Sequence, residues 1–172
     1  MEIVNYVHKG NLEEKLDLGT LSNHITHPKL IAIRHQTKQP EQLILKFSDC
    51  NTLIFFKSGA FRLMGRSDDL ESHFIVYEVI ALFSDKIPNI ILQTMTATYN
   101  YNQKIHLCAL AKEEGMRYMS EFFPAVQIRN RFPTTHINIF SSGKITITGV
   151  KDELLLPDIK HYLDSIIPKY LL

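Results

Sequence analysis

The stretch Leu53-Ile54-Phe55-Phe56-Lys57-Ser58-Gly59-Ala60-Phe61-Arg62-Leu63-Met64-Gly65 returns later in the chain as Ile137-Asn138-Ile139-Phe140-Ser141-Ser142-Gly143-Lys144-Ile145-Thr146-Ile147-Thr148-Gly149. Each copy reads as an apolar strand, a Phe-x-Ser-Gly turn, a second alternating strand and a closing glycine. Gly59 and Gly143 are 84 residues apart, as are Gly65 and Gly149. A period so long, occurring only twice, marks a duplicated subdomain rather than a solenoid. Ser-Gly between two alternating runs predicts a β-hairpin in each copy, with glycine at positive φ. Side chains alternate between faces along a strand. Leu53, Phe55, Phe61 and Leu63 therefore share one face of the first hairpin, and Ile137, Ile139, Ile145 and Ile147 one face of the second. These are the expected core positions. The opposite face carries Ile54, Phe56, Arg62 and Met64 in the first copy. In the second it carries His136, Asn138, Phe140, Lys144, Thr146 and Thr148.

The spacing outward from the hairpins predicts the rest of each half. Asp68-x-x-Glu71 reads as a capping box before a helix with Leu70, Phe74, Tyr77 and Ala81 in helical register, stopped at Ile87-Pro88. After Gly149, the spacing of Ile159, Tyr162, Leu163 and Ile166 predicts a second helix ending at Ile167-Pro168. Pro157 suits a first turn, so its regular part should begin near Leu156. Upstream of the first hairpin come a strand over residues 3–8, a short helix over 16–24 and a strand over 42–47. Leu43, Leu45 and Phe47 face inward there, and residues 34–39 read as an insertion. The second copy matches with 92–99, 105–111 and 125–130. Each half is thus strand, helix, three strands, helix, with domains at 1–88 and 89–172. The fold class is α+β, an antiparallel sheet with helices on one face and a mixed polar and apolar open face.

Composition narrows the function classes. The 172 residues are 45% hydrophobic and 22% charged, with a net charge of +1, the profile of an ordinary globular protein. No apolar run reaches the ~20 residues that cross a bilayer, and Met1-Glu2-Ile3-Val4-Asn5 does not read as a signal peptide, so no membrane partner is expected. The two cysteines, Cys50 and Cys108, lack metal-site spacing and are expected as free thiols. His24-x-x-His27 has no accompanying cysteine or carboxylate set, so neither a metal site nor a cofactor is expected. Glu113-Glu114 reads as an exposed loop. With no nucleophile–base arrangement, no phosphate-binding glycine loop and no catalytic residues in view, the chain does not read as an enzyme.

The order of elements and the residues that carry it resemble the conserved core of the TATA-box-binding protein family. Phe140-x-Ser142-Gly143-Lys144-Ile145-Thr146-Ile147-Thr148-Gly149-x-Lys151 is similar to the family's Phe-x-Ser-Gly-Lys…Thr-Gly-Ala-Lys signature, and Glu121-Phe122-Phe123-Pro124 to its Glu-Leu-Phe-Pro stirrup. Asn5-Tyr6-Val7 followed by Lys15-Leu16-Asp17-Leu18 resembles its Asn-x-Val and basic-Leu-Asp-Leu runs. The resemblance spans nearly the whole chain and implies a saddle, two pseudo-symmetric repeats forming a curved sheet with helices on the convex face. It implies that the concave face lies in the DNA minor groove, where phenylalanine pairs wedge between base steps and kink the duplex.

Carried over residue by residue, the wedge role falls on Phe123 and Phe140 in the second half and on Phe56 in the first. The mate of Phe56 should lie at residues 40–42, where no phenylalanine stands. Central hydrogen bonding falls on Asn5 and, in place of a second asparagine, Thr94. Groove packing falls on Val7, Ile54, Thr96, Thr146 and Thr148, with Asn138 replacing an apolar contact. Phosphate contacts fall on Arg129, Lys144 and Lys151. Ala60 and Met64 replace the first-half lysine and threonine, and Arg62 stands at an open-face position that is normally apolar.

The resemblance implies a general transcription initiation factor of the nucleus, or of a viral transcription site, that bends AT-rich promoter DNA. Its implied partners are RNA polymerase and a transcription factor IIB-like protein docking on Tyr118, Glu121 and Phe122. The departures imply a divergent member, viral or restricted to one lineage, with weaker TATA preference and its better DNA anchor in the C-terminal half. Ile75, Val76, Val79 and Ile80 on the first long helix are expected to offer an apolar surface to a further partner. Arg62, Asn138 and Thr94 point to an alternative, an interaction module that scaffolds or titrates other transcription factors with little DNA binding.

Overall fold

The computed structural model describes residues 1–172. The chain divides into two compact units, Asn5–Gln93 and Met1–Val4 with Thr94–Leu172. The elements of the N-terminal unit are β1 (Glu2–Asn11), α1 (Leu18–His24), β2 (Leu30–Gln36), β3 (Gln42–Phe47), β4 (Thr52–Phe56), β5 (Ala60–Gly65) and α2 (Leu70–Ala81). Its strands run in the order β2-β3-β4-β5-β1, each pair antiparallel. The C-terminal unit holds β6 (Ile91–Asn100), α3 (Leu107–Glu113), β7 (Ala125–Arg129), β8 (His136–Phe140), β9 (Lys144–Val150), α4 (Leu155–Ile166) and a 3₁₀ turn, Ile167–Tyr170. Its order is β6-β9-β8-β7, again antiparallel. No helix is long and apolar enough to cross a membrane.

Both hairpins form as their sequences require. Gly59 and Gly143 take φ of 88° and 90°, and each donates its N–H to the carbonyl of the phenylalanine three residues back at 3.0 Å. A Cβ at either glycine would lie 2.2 Å from a backbone oxygen, that of Glu14 or of Gln103. Glycine is therefore demanded twice over, by the positive φ and by the close approach.

The duplication is repeated in hydrogen bonds. Leu12 N–H donates to Gly59 O and Leu16 N–H to Lys57 O. In the C-terminal unit Tyr101 N–H donates to Gly143 O and Ile105 N–H to Ser141 O. The donors are 89 residues apart and the acceptors 84. The N-terminal unit thus has five more residues between its short helix and its hairpin, the region of β2 and the turn after it. β2 itself is an addition to the expected element order. It runs along the sheet edge with most of its side chains exposed, so no buried face announces it.

The predicted core parities are those observed. Leu43, Leu45, Phe47, Leu53, Phe55, Phe61 and Leu63 are buried in one cluster of the N-terminal unit. Ile137, Ile139, Ile145 and Ile147 are buried in the C-terminal unit, as are Leu156, Ile159, Leu163 and Ile166 of α4. Pro157 lies in the first turn of α4, as expected.

Helix α2 corrects two expectations. Its N-cap is Asp69, which accepts from Ser72 N–H at 2.8 Å. Asp68 instead accepts from His8. The cap bond from Ser72 is the main reason the Asp69 carboxyl is held below the usual carboxylate range. The helix is also rotated relative to expectation. Ile75, Val76, Val79 and Ile80 are at most 2% exposed, inside the core and not available as a partner surface, whereas Leu70 is 75% and Phe74 57% exposed. Apolar residues lie on both faces of α2, so helical spacing alone fits either stripe. Polar anchoring of Ser72, buried with its Oγ accepting from Asn51 Nδ2 at 3.3 Å, goes with the stripe that packs.

Glu113 and Glu114 are the end of α3 and the residue after it, and both accept from Tyr170 Oη at 3.1 Å. They brace the C-terminal turn rather than form a free loop. Cys50 and Cys108 are exposed free thiols.

Candidate nucleic-acid interface

The face of each sheet opposite the helices is the candidate interface, and the strand register arranges its side chains in rows. In the C-terminal unit, Gln127, Asn138, Thr146 and Thr98 face one another across β7, β8, β9 and β6. All four are half-buried, and Asn138 Nδ2 stands 3.5 Å from Thr146 Oγ1. The next row holds Arg129, His136 and Thr148. Thr94 and Thr96 continue the outward parity of β6, alternating with buried Met95 and Ala97. This is a neutral polar floor of short donors and acceptors, with exposed cations at its margins: Arg129, Lys144 at the head of β9, and Lys151 just after its end.

Two phenylalanine rings stand at one end of that floor. Phe140 closes β8 and pairs in register with Ala125. Phe123, two residues before Ala125, lies with its ring centroid 6.1 Å from that of Phe140 at 60°. It is 37% exposed. The 117–123 segment that presents it is held by Phe122 N–H and Phe123 N–H donating to Met119 O and by a β-bridge from Arg117 to Gln127. Glu121 is exposed and Phe122 78% exposed, while Tyr118 is half-buried.

The N-terminal unit presents the same rows with different chemistry. Arg34, Ile44, Ile54, Arg62 and Lys9 face one another across all five strands. The adjacent row holds Ala32, Lys46, Thr52, Met64 and Val7. Asn5 shares the parity of Val7 and is half-buried. Phe56 closes β4 and pairs with Gln42, as Phe140 pairs with Ala125. Two residues before Gln42 stands Pro40, so the position matched to Phe123 has no ring. The guanidinium of Arg62 sits over the Phe56 ring instead, 5.7 Å from its centroid, within cation–π range. Where the C-terminal unit has two rings and neutral hydroxyls, the N-terminal unit has one ring beneath a cation.

The open-face residues that sequence reasoning passed over are Lys9, Ile44, Lys46, Gln127 and Thr98. Cross-strand pairing finds them: Lys9, Ile44, Gln127 and Thr98 sit opposite Arg62, Ile54, Asn138 and Thr146, and Lys46 lies in the row that ends on Met64 and Val7. None of Lys9, Lys46, Arg62, Arg129, Lys144 and Lys151 enters an ion pair. Their charges are therefore available to an anionic ligand such as a phosphate backbone.

Residues 89–168 match a family model described as transcription factor TFIID (or TATA-binding protein, TBP). A TATA-box-binding protein of Thermoplasma volcanium is 29% identical over 168 residues, covering 88% of this chain and 85% of that protein. One of Methanocaldococcus jannaschii is 28% identical over 164 residues, with 89% and 85% covered. The solved Methanococcus jannaschii TBP superposes with a TM-score of 0.74 at 27% identity, covering 96% of this chain and 97% of that one. The α+β fold is of that type.

Proposed function

Because the chain belongs to the TATA-box-binding protein family, we propose that it is a general transcription initiation factor that binds and bends promoter DNA through the minor groove and carries out no catalysis. The observation that supports this most directly is the Phe123–Phe140 ring pair at the end of a neutral polar floor bordered by unpaired cations. Hydroxyls and amides suit the minor groove, whose A·T edges offer only acceptors and whose floor rejects bulk. Rings at the end of such a floor can enter a base step and hold it open, and the bent duplex then reaches more protein surface. The cations hold the phosphates and set the register.

The C-terminal unit is the stronger anchor in this reading. Phe122, Glu121 and Tyr118, on the segment that presents Phe123, form the docking site for a IIB-like factor, through which RNA polymerase is recruited. The protein works where the template DNA lies, which is the nucleus in a cell that has one.

The Arg62–Phe56 stack favours a second reading, an interaction module whose N-terminal unit no longer wedges. A titration of AT-rich and GC-rich duplexes at several salt concentrations separates the two. The promoter-binding reading expects AT preference and a log K against log[salt] slope of about −0.9 per phosphate contact. Lys144→Ala and Lys151→Ala should each reduce that slope by about 1. Binding no tighter than about 10⁻⁶ M at physiological salt, without AT preference, would match only the nonspecific range and leave the interaction module standing.

A further inference from the structure

His8, Asp68 and His73 meet on the helix side of the N-terminal unit, away from the open face. His8 has the opposite parity on β1 to Asn5 and Val7, and its ring is 2% exposed. Its Nε2 lies 2.7 Å from Asp68 Oδ1. His73 Nε2, from the first turn of α2, lies 3.6 Å from the same oxygen. The two imidazoles meet edge to face with centroids 4.7 Å apart. One ligand atom from each of the three residues lies within 4.8 Å of the other two.

A hydrogen-bonded triad does not account for this arrangement. His73 Nε2 is buried without a hydrogen-bond partner, and a buried polar atom left unpaired is costly. Left without a hydrogen-bond partner, His73 Nε2 has a lone pair to offer a metal ion. Two imidazoles and a carboxylate form a ligand set of the kind that binds zinc with a water in the fourth position.

We propose that His8, Asp68 and His73 form a site for a divalent transition-metal ion, zinc being the best match, that ties strand β1 to the start of α2. Tetrahedral zinc holds such ligand atoms about 3.4 Å apart. The His8–Asp68 contact must open by several tenths of an ångström, and the His73–Asp68 contact is already close. Asp68 is 40% exposed at its side chain, so it is free to make that adjustment and leaves a route for the ion and its water. His8 Nε2, which now faces Asp68 Oδ1, gives its lone pair to the metal when the ring proton sits on Nδ1. The inference is independent of the DNA reading, since none of the three residues lies on the open face.

The test is a titration of the metal-stripped full chain with Zn²⁺ by calorimetry, together with thermal melts and the absorption spectrum of the Co²⁺-loaded protein. One equivalent should bind and raise the melting temperature, and Co²⁺ should give the intense visible bands of a four-coordinate site. Asp68→Asn and His73→Gln should each weaken binding at least about tenfold, since even groups that merely support metal ligands are worth about 10–100-fold. His24→Gln and His161→Gln should change nothing. Melts without metal show whether each variant is folded, and Asp68→Asn, which keeps the size of the side chain, carries the test if His73→Gln does not fold. The proposal is overturned by absence of binding, by binding that survives both ligand variants, or by a weak six-coordinate Co²⁺ spectrum.

Discussion

Replacing Phe140 with alanine is expected to abolish most of the bend that the protein imposes on an AT-rich duplex and to weaken binding by about tenfold or more, which corresponds to about 1.4 kcal/mol. The reason is geometric. Phe140 and Phe123 form a two-ring pair, 6.1 Å between centroids, on the unit that also presents Arg129, Lys144 and Lys151. Unstacking a base step costs a few kcal/mol, and only an inserted apolar group offsets it. With Phe140 gone, Phe123 has no ring beside it, and the step closes. Phe56→Ala should have a smaller effect on both bend and affinity. Its ring lies under the Arg62 guanidinium and has no aromatic mate, because Pro40 stands where the second ring would be. A fluorescence bend reporter applied to both variants measures the difference directly. Equal losses would contradict the inequality of the two units.

The largest expected effect on stability is at Phe55. The ring is fully buried on β4, 6.0 Å from Phe61 and 5.6 Å from Phe83 between centroids. Truncating such a ring removes its transfer free energy and leaves a cavity, a cost of about 3–5 kcal/mol. Total stabilities are only about 5–15 kcal/mol, so Phe55→Ala should remove a large share of what holds the N-terminal unit. For a chain of this size each kcal/mol is worth roughly 2–4 °C, and a melting curve followed by circular dichroism should move down by roughly 10 °C. Phe56→Ala, one residue on but facing outward, should leave the melt nearly unchanged. Matching melts for the two variants would mean that the hairpin parity has been misassigned.

That parity is where the sequence was most legible. Two hairpins with a Ser-Gly turn and strict alternation dictate which residues enter the core, and every one of the eight predicted positions is buried. β2 was not legible, because an edge strand with an exposed sequence such as Ile31-Ala32-Ile33-Arg34 has no buried face to impose a period of two. It is defined by its hydrogen bonds to β3. The rotation of α2 was hidden for the opposite reason. Apolar residues on both of its faces satisfy helical spacing twice, and only packing chooses between them.

The candidate interface was partly legible, since most of its residues lie at fixed positions within the two repeats. The Arg62–Phe56 stack needed side-chain geometry. The row formed by Arg34, Arg62 and Lys9, which come from three separate strands, needed the strand register. His8 and His73 are far apart in sequence, and no local spacing links them. Contacts of that range belong to the tertiary structure alone.

The central claim is that the open faces bend DNA, and the end-to-end distance of a doubly labelled duplex measures this most directly. At physiological salt and saturating protein, the AT-rich duplex should shorten while a GC-rich duplex of equal length stays extended. Saturable binding that leaves the AT-rich distance unchanged, or no binding at all, would contradict the account.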